Sequence, residues 1–136
     1  MGELKTRTRR ASVSKFLNAI GDDQIRADSR TIAAIMKQAT KASPRMWGPG
    51  IVGFGTRTIT YANGREADWL RVAFAPRKNK ITLYISRGFS GYEGLRARLG
   101  KHTGGGICIH IKSLSDIHLP TLKKLVGDSV RQFDKR

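Results

Sequence analysis

The sequence is poor in cysteine and in acidic residues, with Cys108 its only cysteine and ten Asp and Glu against 26 Lys and Arg. One cysteine excludes an internal disulfide and is usual in a reducing compartment. No apolar run reaches the roughly 18 residues of a membrane-spanning helix, and no apolar segment follows the basic N-terminus. We therefore expect a cytoplasmic protein without a membrane partner.

The shortage of acidic residues leaves a formal net charge of +16. Such a charge attracts polyanions and speeds their association with the protein. The basic residues are scattered along the chain, and no helix-turn-helix, zinc-finger or ribonucleoprotein motif accompanies them. Charge alone therefore predicts, at most, weak nucleic-acid binding without sequence preference.

The length of 136 residues indicates one domain. Residues 1–13 are basic and lack periodicity, so we expect a flexible tail followed by a single domain over 14–136. Apolar residues at helical spacing predict a helix over about 23–41, capped by Asp22 or Asp23, and a second over about 119–133.

The middle of the chain has the composition of strands joined by tight turns. The strand-like runs are 51–54, 56–61, 69–75, 81–86 and 107–112, with a short helix expected over 91–99. Strands joined by short turns are antiparallel. We therefore predict an α+β fold, a curved antiparallel sheet of about five or six strands with the N- and C-terminal helices packed on one face.

Alternation within the strands assigns side chains to the two faces of the sheet. We expect the helices to cover Ile81, Leu83, Ile85, Ile107, Ile109 and Ile111. The outer face then carries Trp69, Arg71, Ala73, Thr82, Tyr84, Ser86, Cys108, His110 and Lys112. On this pattern Arg71, Tyr84, His110 and Lys112 share one open, basic face.

Several segments together resemble a known bacterial family. They are PRMWGPGIVGFG, YANGREADW, FAPRKNKITLYI, GFSGYEGLRARLGKHTGG and CIHIKSL, in this order between about Lys15 and Arg131. The chain is identified by them as similar to the YdhG-like family (domain of unknown function 1801). The resemblance implies an α+β fold with a curved antiparallel sheet and no established enzymatic activity. The family usually has further lysines where this chain has Thr103 and three glycines.

Some relatives in that family are described as frataxin-like iron chaperones, which makes iron binding an alternative function. Iron favours clustered carboxylate oxygens. The only acidic group here is Asp22, Asp23 and Asp28, and Arg26 interrupts it. The sequence therefore argues against tight ferrous iron binding, and we predict no metal site and no cofactor.

Two loops contain candidate sites, each with a structural alternative. Backbone N–H groups at Gly48, Gly50, Gly53 and Gly55 are a candidate anion cradle, although no nucleotide-binding spacing is present and a strand-connecting turn is the simpler interpretation. The segment Arg65–Asp68 offers two carboxylates to a ligand, or a salt-bridged turn in which Asp68 pairs with an arginine.

The ring and thiol side chains have the same two interpretations. Trp47 and Trp69 are able to stack on a planar ligand, but packing in the core or at its rim is the more usual role. Cys108 and His110 point to one side and have no third catalytic or metal-binding partner in the sequence. His102 is a candidate phosphate ligand or a cap for the helix ending at Leu99.

The sequence thus favours a non-enzymatic binding protein for a small anion or an acidic partner protein. Iron chaperone and non-specific nucleic-acid binding are the alternatives, and neither a catalytic triad nor a cofactor loop is present to support an enzyme. The candidate ligand-binding residues are Trp47, Asp68, Arg71, Tyr84, His110 and Lys112.

Overall fold

The computed structural model describes residues 11–47, 50–86, 89–105 and 108–132, with side chains from residue 13 onward. The helices are α1 (Ala11–Asn18), α2 (Asp23–Thr40), α3 (Tyr92–Ala97) and α4 (Leu119–Arg131). The strands are β1 (Arg45–Met46), β2 (Val52–Thr60), β3 (Glu66–Pro76), β4 (Ile81–Ile85) and β5 (Cys108–Ile111). A turn of 3-10 helix, Leu114–Asp116, precedes α4.

Within these described ranges the five strands form one antiparallel sheet in the order β1-β2-β3-β4-β5. Each strand pairs with the next one in the chain, as expected for strands joined by short turns. Helix α2 packs on β2 and β3, α4 packs on β3 and β4, and the two helices contact each other. The predicted α+β class, an antiparallel sheet with N- and C-terminal helices, is confirmed.

Helix α2 begins with the cap expected from the sequence. The Asp22 carboxylate accepts a hydrogen bond of 2.9 Å from the N–H of Ile25, which caps the helix. Lys41 ends the helix in a left-handed conformation, with its N–H donating to the Lys37 carbonyl. Between these ends the predicted apolar face is buried against the sheet, at Ile25, Ile32, Ile35 and Met36.

Helix α1 begins within the segment that was expected to be a flexible tail. It starts at Ala11, and both Val13 and Leu17 are buried in the core. The spacing of these two residues, one helical turn apart, gives α1 an apolar face that contacts the domain. The end of the predicted tail, residues 11–13, therefore belongs to the folded domain, while residues 1–10 lie outside the described part.

The predicted assignment of side chains to the inner face of the sheet is confirmed where the structure describes it. Ile81, Leu83, Ile85, Ile109 and Ile111 are all buried, together with Phe54, Val72 and Phe74 of the neighbouring strands. Leu83 lies opposite Ile109, and Phe74 lies opposite Leu83, so these residues form continuous rows under the helices. The prediction for Ile107 falls outside the described residues.

Two residues lie on the outer face as predicted but are buried, whereas they were expected to be exposed. Thr82 and Ala73 were expected to be accessible, but Thr82 is 4% exposed and Ala73 is fully buried. Thr82 lies opposite His110 and its hydroxyl is hydrogen-bonded to that ring, while Ala73 lies between Gly53 and Tyr84. Small side chains between larger neighbours lose their contact with water even on the outer face.

Two polar contacts attach the helices to the ends of the strands. The buried Asp28 carboxylate of α2 accepts hydrogen bonds from the Leu114 N–H (3.0 Å) and the Gln24 amide (2.8 Å). At the C-terminal end of α4, the Ser129 hydroxyl and the amide of the capping residue Gln132 both donate to the Ser86 carbonyl just after β4. The segments that follow β5 and β4 are therefore anchored to helices α2 and α4.

Candidate functional site

Two of the depressions in the described part of the structure lie on the outer face of the sheet. The first, the arginine–tryptophan pocket, has a volume of about 170 Å³. Its lining includes Ile51, Arg57, Trp69, Arg71, Tyr84 and Ser86. The second, the lysine pocket, has a volume of about 200 Å³. Its charged and ring-bearing lining residues are Lys80, Lys101, His102, His110, Lys112 and Asp116.

Strand register brings the arginines and the aromatic rings of the first pocket together. Arg57 of β2 lies directly opposite Trp69 of β3. The Nε of Arg57 donates to the Leu70 carbonyl (3.3 Å), and the Nε of Arg71 donates to the Thr56 carbonyl (3.1 Å). These hydrogen bonds fix both guanidinium groups over the hairpin. The pocket therefore combines positive charge with an aromatic wall.

Trp69, which lines this pocket, packs against Trp47 beside it. Their ring centroids are 5.7 Å apart at an interplanar angle of 65°, an edge-to-face pair. Trp47 lies on the backbone of Gly53, where a Cβ atom would approach the indole Cδ1 to 2.4 Å. Gly53 thus serves close aromatic packing, which favours the structural interpretation of this glycine. Gly48, the first position of the candidate anion cradle, lies outside the described residues.

Electrostatics favour anions in the first pocket. Burial lowers the pKa of the Arg57 guanidinium. A guanidinium nevertheless stays protonated in proteins, so the arginine carries its full charge in a partly dehydrated position. Charge in such a position is screened less by water and salt than charge at the open surface.

The lysine pocket is formed by three chain segments held together by backbone hydrogen bonds. Thr103 and His110 exchange both backbone bonds, at 3.0 and 2.9 Å. The Lys101 N–H donates to the Asp116 carbonyl at 3.2 Å. The loop after α3 is thereby closed against both β5 and the segment before α4, which fixes the backbone at Lys101.

The two histidines of the lysine pocket differ in their hydrogen bonds. The Nε2 atom of His102 accepts from Arg96 (3.2 Å), so its proton is on Nδ1, which donates to the Gly100 carbonyl (2.7 Å). Both ring nitrogens are thus used, but α3 ends at Ala97 and Gly100 lies beyond it, so His102 does not cap the last turn of the helix as predicted. His110 has its Nδ1 at 2.9 Å from the Thr82 hydroxyl. Desolvation, and secondly the positive charge of Lys80, lower the pKa of His110.

The structure separates the residues that the sequence placed in one site. Arg71 and Tyr84 line the arginine–tryptophan pocket, with Trp47 beside it, whereas His110 and Lys112 line the lysine pocket. Ser86 of the first pocket and Lys80 of the second flank β4 and are about 20 Å apart at roughly 3.3 Å per residue, although Tyr84 and His110 are diagonal neighbours in the ladder. The shared face is confirmed, but these residues do not form a single site.

Asp68 does not share a face of the sheet with the other predicted site residues. It pairs with Thr58 in the ladder and is one residue away from Trp69, so its side chain points to the other side of the sheet. It therefore does not face the same ligand as Arg71. Sequence reasoning also omitted Arg57, which counting outward from the Ala62–Gly64 turn places opposite Trp69.

The acidic residues considered for iron have structural partners. Asp22 caps α2, Asp23 pairs with Arg26 at 2.5 Å, and Asp28 is buried in the hydrogen bonds to Leu114 and Gln24. Among the described residues, no three His, Cys, Asp or Glu side chains are grouped so as to hold a metal ion. Cys108 is a free, half-buried cysteine on the outer face.

Comparison with protein-family models, curated proteins and solved structures finds no match for this chain. None of the described helices is long and apolar enough to cross a membrane. The two pockets and the charge of the chain are therefore the features that bear on its function.

Proposed function

We propose that this chain is a non-enzymatic binding protein that takes a small anion in the arginine–tryptophan pocket. The observation that carries the proposal is the convergence of Arg57 and Arg71 with the rings of Trp69 and Tyr84 around one depression. Arginine binds carboxylate and phosphate groups with planar, directional hydrogen bonds. From the sequence motifs we also propose that the chain belongs to the YdhG-like family.

The lining also favours a ligand of a particular kind. Ile51 and Trp69 provide apolar surface beside the two arginines. The volume of about 170 Å³ is below the roughly 300–1,000 Å³ of pockets for drug-sized ligands. A small carboxylate or phosphate with one apolar or aromatic group fits both properties better than a large cofactor does. An acidic side chain of a partner protein would offer the same chemistry.

Benzoate is the probe that best separates this proposal from simple charge attraction. We expect benzoate to change the tryptophan fluorescence at lower concentrations than acetate does. Neutral benzamide should bind at least about tenfold more weakly than benzoate, because a hydrogen bond to a charged group contributes about 1.5–3 kcal/mol. Arg71→Gln should weaken benzoate binding by about the same factor. The measurement is a fluorescence titration at constant ionic strength.

The matched control is Lys123→Gln, which removes one positive charge from an exposed position of α4. It should bind benzoate as the unmodified protein does. Equal affinity for benzoate and benzamide, or equal affinity in Arg71→Gln and Lys123→Gln, would refute the proposed site. Trp69→Phe identifies which of the two indoles reports the binding.

Nucleic-acid binding is a second candidate, supported by the net charge of +16. We expect weak binding to DNA or RNA without sequence preference, because scattered bases contact phosphates without reading base edges. Affinity should fall steeply with salt, since binding releases counterions from the nucleic acid. Fluorescence anisotropy with several unrelated duplexes at low and near-physiological salt measures this. Salt-resistant binding that differs more than about tenfold between sequences would instead indicate a dedicated recognition surface.

A further inference from the structure

The lysine pocket has no part in the function proposed above, and its chemistry differs from that of the arginine–tryptophan pocket. We propose that the lysine pocket is a second, independent anion site that binds a compact, doubly charged oxyanion of the phosphate class. The ligand would lie among the ammonium groups of Lys80, Lys101 and Lys112.

The charges of the lining favour a dianion. Three lysines and one carboxylate, Asp116, give a formal charge of +2 without His110. Lysine presents a compact, strongly hydrated point charge with rotatable donors, which suits a small, highly charged ion. Among the described residues, no tryptophan lines this pocket, in contrast to the other one.

The backbone of the pocket is already fixed before a ligand arrives. Lys80 precedes β4, Lys112 follows β5, and Lys101 is held by the hydrogen bond to the Asp116 carbonyl. The His118 N–H also donates to the Leu99 carbonyl (2.8 Å), which closes the loop on its other side. Binding therefore orders lysine side chains only, and the entropic cost of ordering a loop is avoided.

His110 adds a pH-dependent charge to the same pocket. The charged and titratable groups around it are Lys80, Lys101, Lys112, Asp116 and His102. Desolvation and the charge of Lys80 lower the pKa of His110, so the ring is mainly neutral at neutral pH. A dianion among the lysines would offset their repulsion and raise that pKa. By linkage, the affinity for the anion must then increase as the pH falls and His110 gains its proton.

Sulfate is the suitable probe, because it remains a dianion throughout this pH range whereas phosphate itself titrates there. The experiment follows the ring C–H signals of His110 by NMR, assigned with His110→Gln, with sulfate replacing chloride at constant ionic strength. Without sulfate we expect a titration midpoint below about 6.5, the ordinary value for histidine. Sulfate should move the midpoint upward. A midpoint that sulfate leaves unchanged would overturn the proposal.

Affinity measurements give an independent readout. When the pH falls from about 8 to 5.5, the affinity of the unmodified protein for sulfate should increase several-fold. This pH dependence should be largely lost in His110→Gln. Lys101→Gln should weaken sulfate binding by about threefold to fivefold, the expected effect of one exposed charge, while Lys123→Gln should not. Equal sulfate affinity in these two lysine variants would contradict the site. Benzoate binding reports on the other pocket, so the two proposals fail or succeed separately.

Discussion

We expect Ile109→Ala to lower the free energy of unfolding by about 2–5 kcal/mol, the usual cost of emptying a buried aliphatic position. Ile109 is completely buried on the inner face of β5 and lies opposite Leu83. Its neighbour Cys108 is half-buried on the outer face. Cys108→Ala should therefore cost less than about 1 kcal/mol. Urea denaturation followed by circular dichroism measures both values.

The two variants differ by one position in the chain and so test the register of β5. If Cys108→Ala were the costlier change, β5 would be shifted by one residue and every side chain on it would face the opposite way. His110 would then point toward the helices, and the lysine pocket would lose its titratable group. The stability measurement thus bears on the site as well as on the fold.

The helices and the inner face of the sheet were predictable because each depends on periodicity within one segment. The i, i+3, i+4 spacing of Ile32, Ile35 and Met36 is sufficient to orient α2. Alternation is sufficient to bury Ile81, Leu83 and Ile85 together once the strand is recognised. The Asp22 cap is likewise local, because a carboxylate three residues before Ile25 reaches its N–H.

The outer face was harder to predict, since its exposure is set by neighbours from other strands. Thr82 is buried by its contact with His110, which is 28 residues away in the sequence. The orientation of Asp68 was obscured because the strand was expected to begin at Trp69, whereas β3 begins at Glu66. Alternation continues through Glu66–Asp68, and extending it places Asp68 opposite Thr58.

The division of the predicted site into two pockets depends on distances that no single strand reveals. Arg71 and His110 do share a face, but they lie toward opposite ends of β4 and on either side of it. The loop after α3 then brings Lys101 to His110 through the backbone pairing of Thr103. A run of glycines in the sequence gives no indication of this closure, because glycine is equally common in loops that make no contacts.

We expect Gly100→Ala to be among the most destabilising substitutions in the loop that closes the lysine pocket. Gly100 has a φ of +120°, a conformation that residues with a Cβ atom rarely adopt. An added Cβ would lie 2.3 Å from the Asp116 carbonyl oxygen, which is backbone and cannot rotate away. Strain of about 1–3 kcal/mol and overpacking of about 1–3 kcal/mol together predict a loss of about 2–6 kcal/mol in unfolding free energy.

Gly105→Ala is the matched control for this substitution. Gly105 lies in the same loop, has no positive φ, and has nothing within 4 Å of an added Cβ. It should unfold in urea within about 0.5 kcal/mol of the unmodified protein and bind sulfate equally well. Gly100→Ala should lose sulfate affinity even below its unfolding transition, because the hydrogen bond from Lys101 to Asp116 must break to make room. A Gly100→Ala protein as stable as Gly105→Ala would mean that this loop does not close against Asp116, and the lysine pocket would not exist in this form.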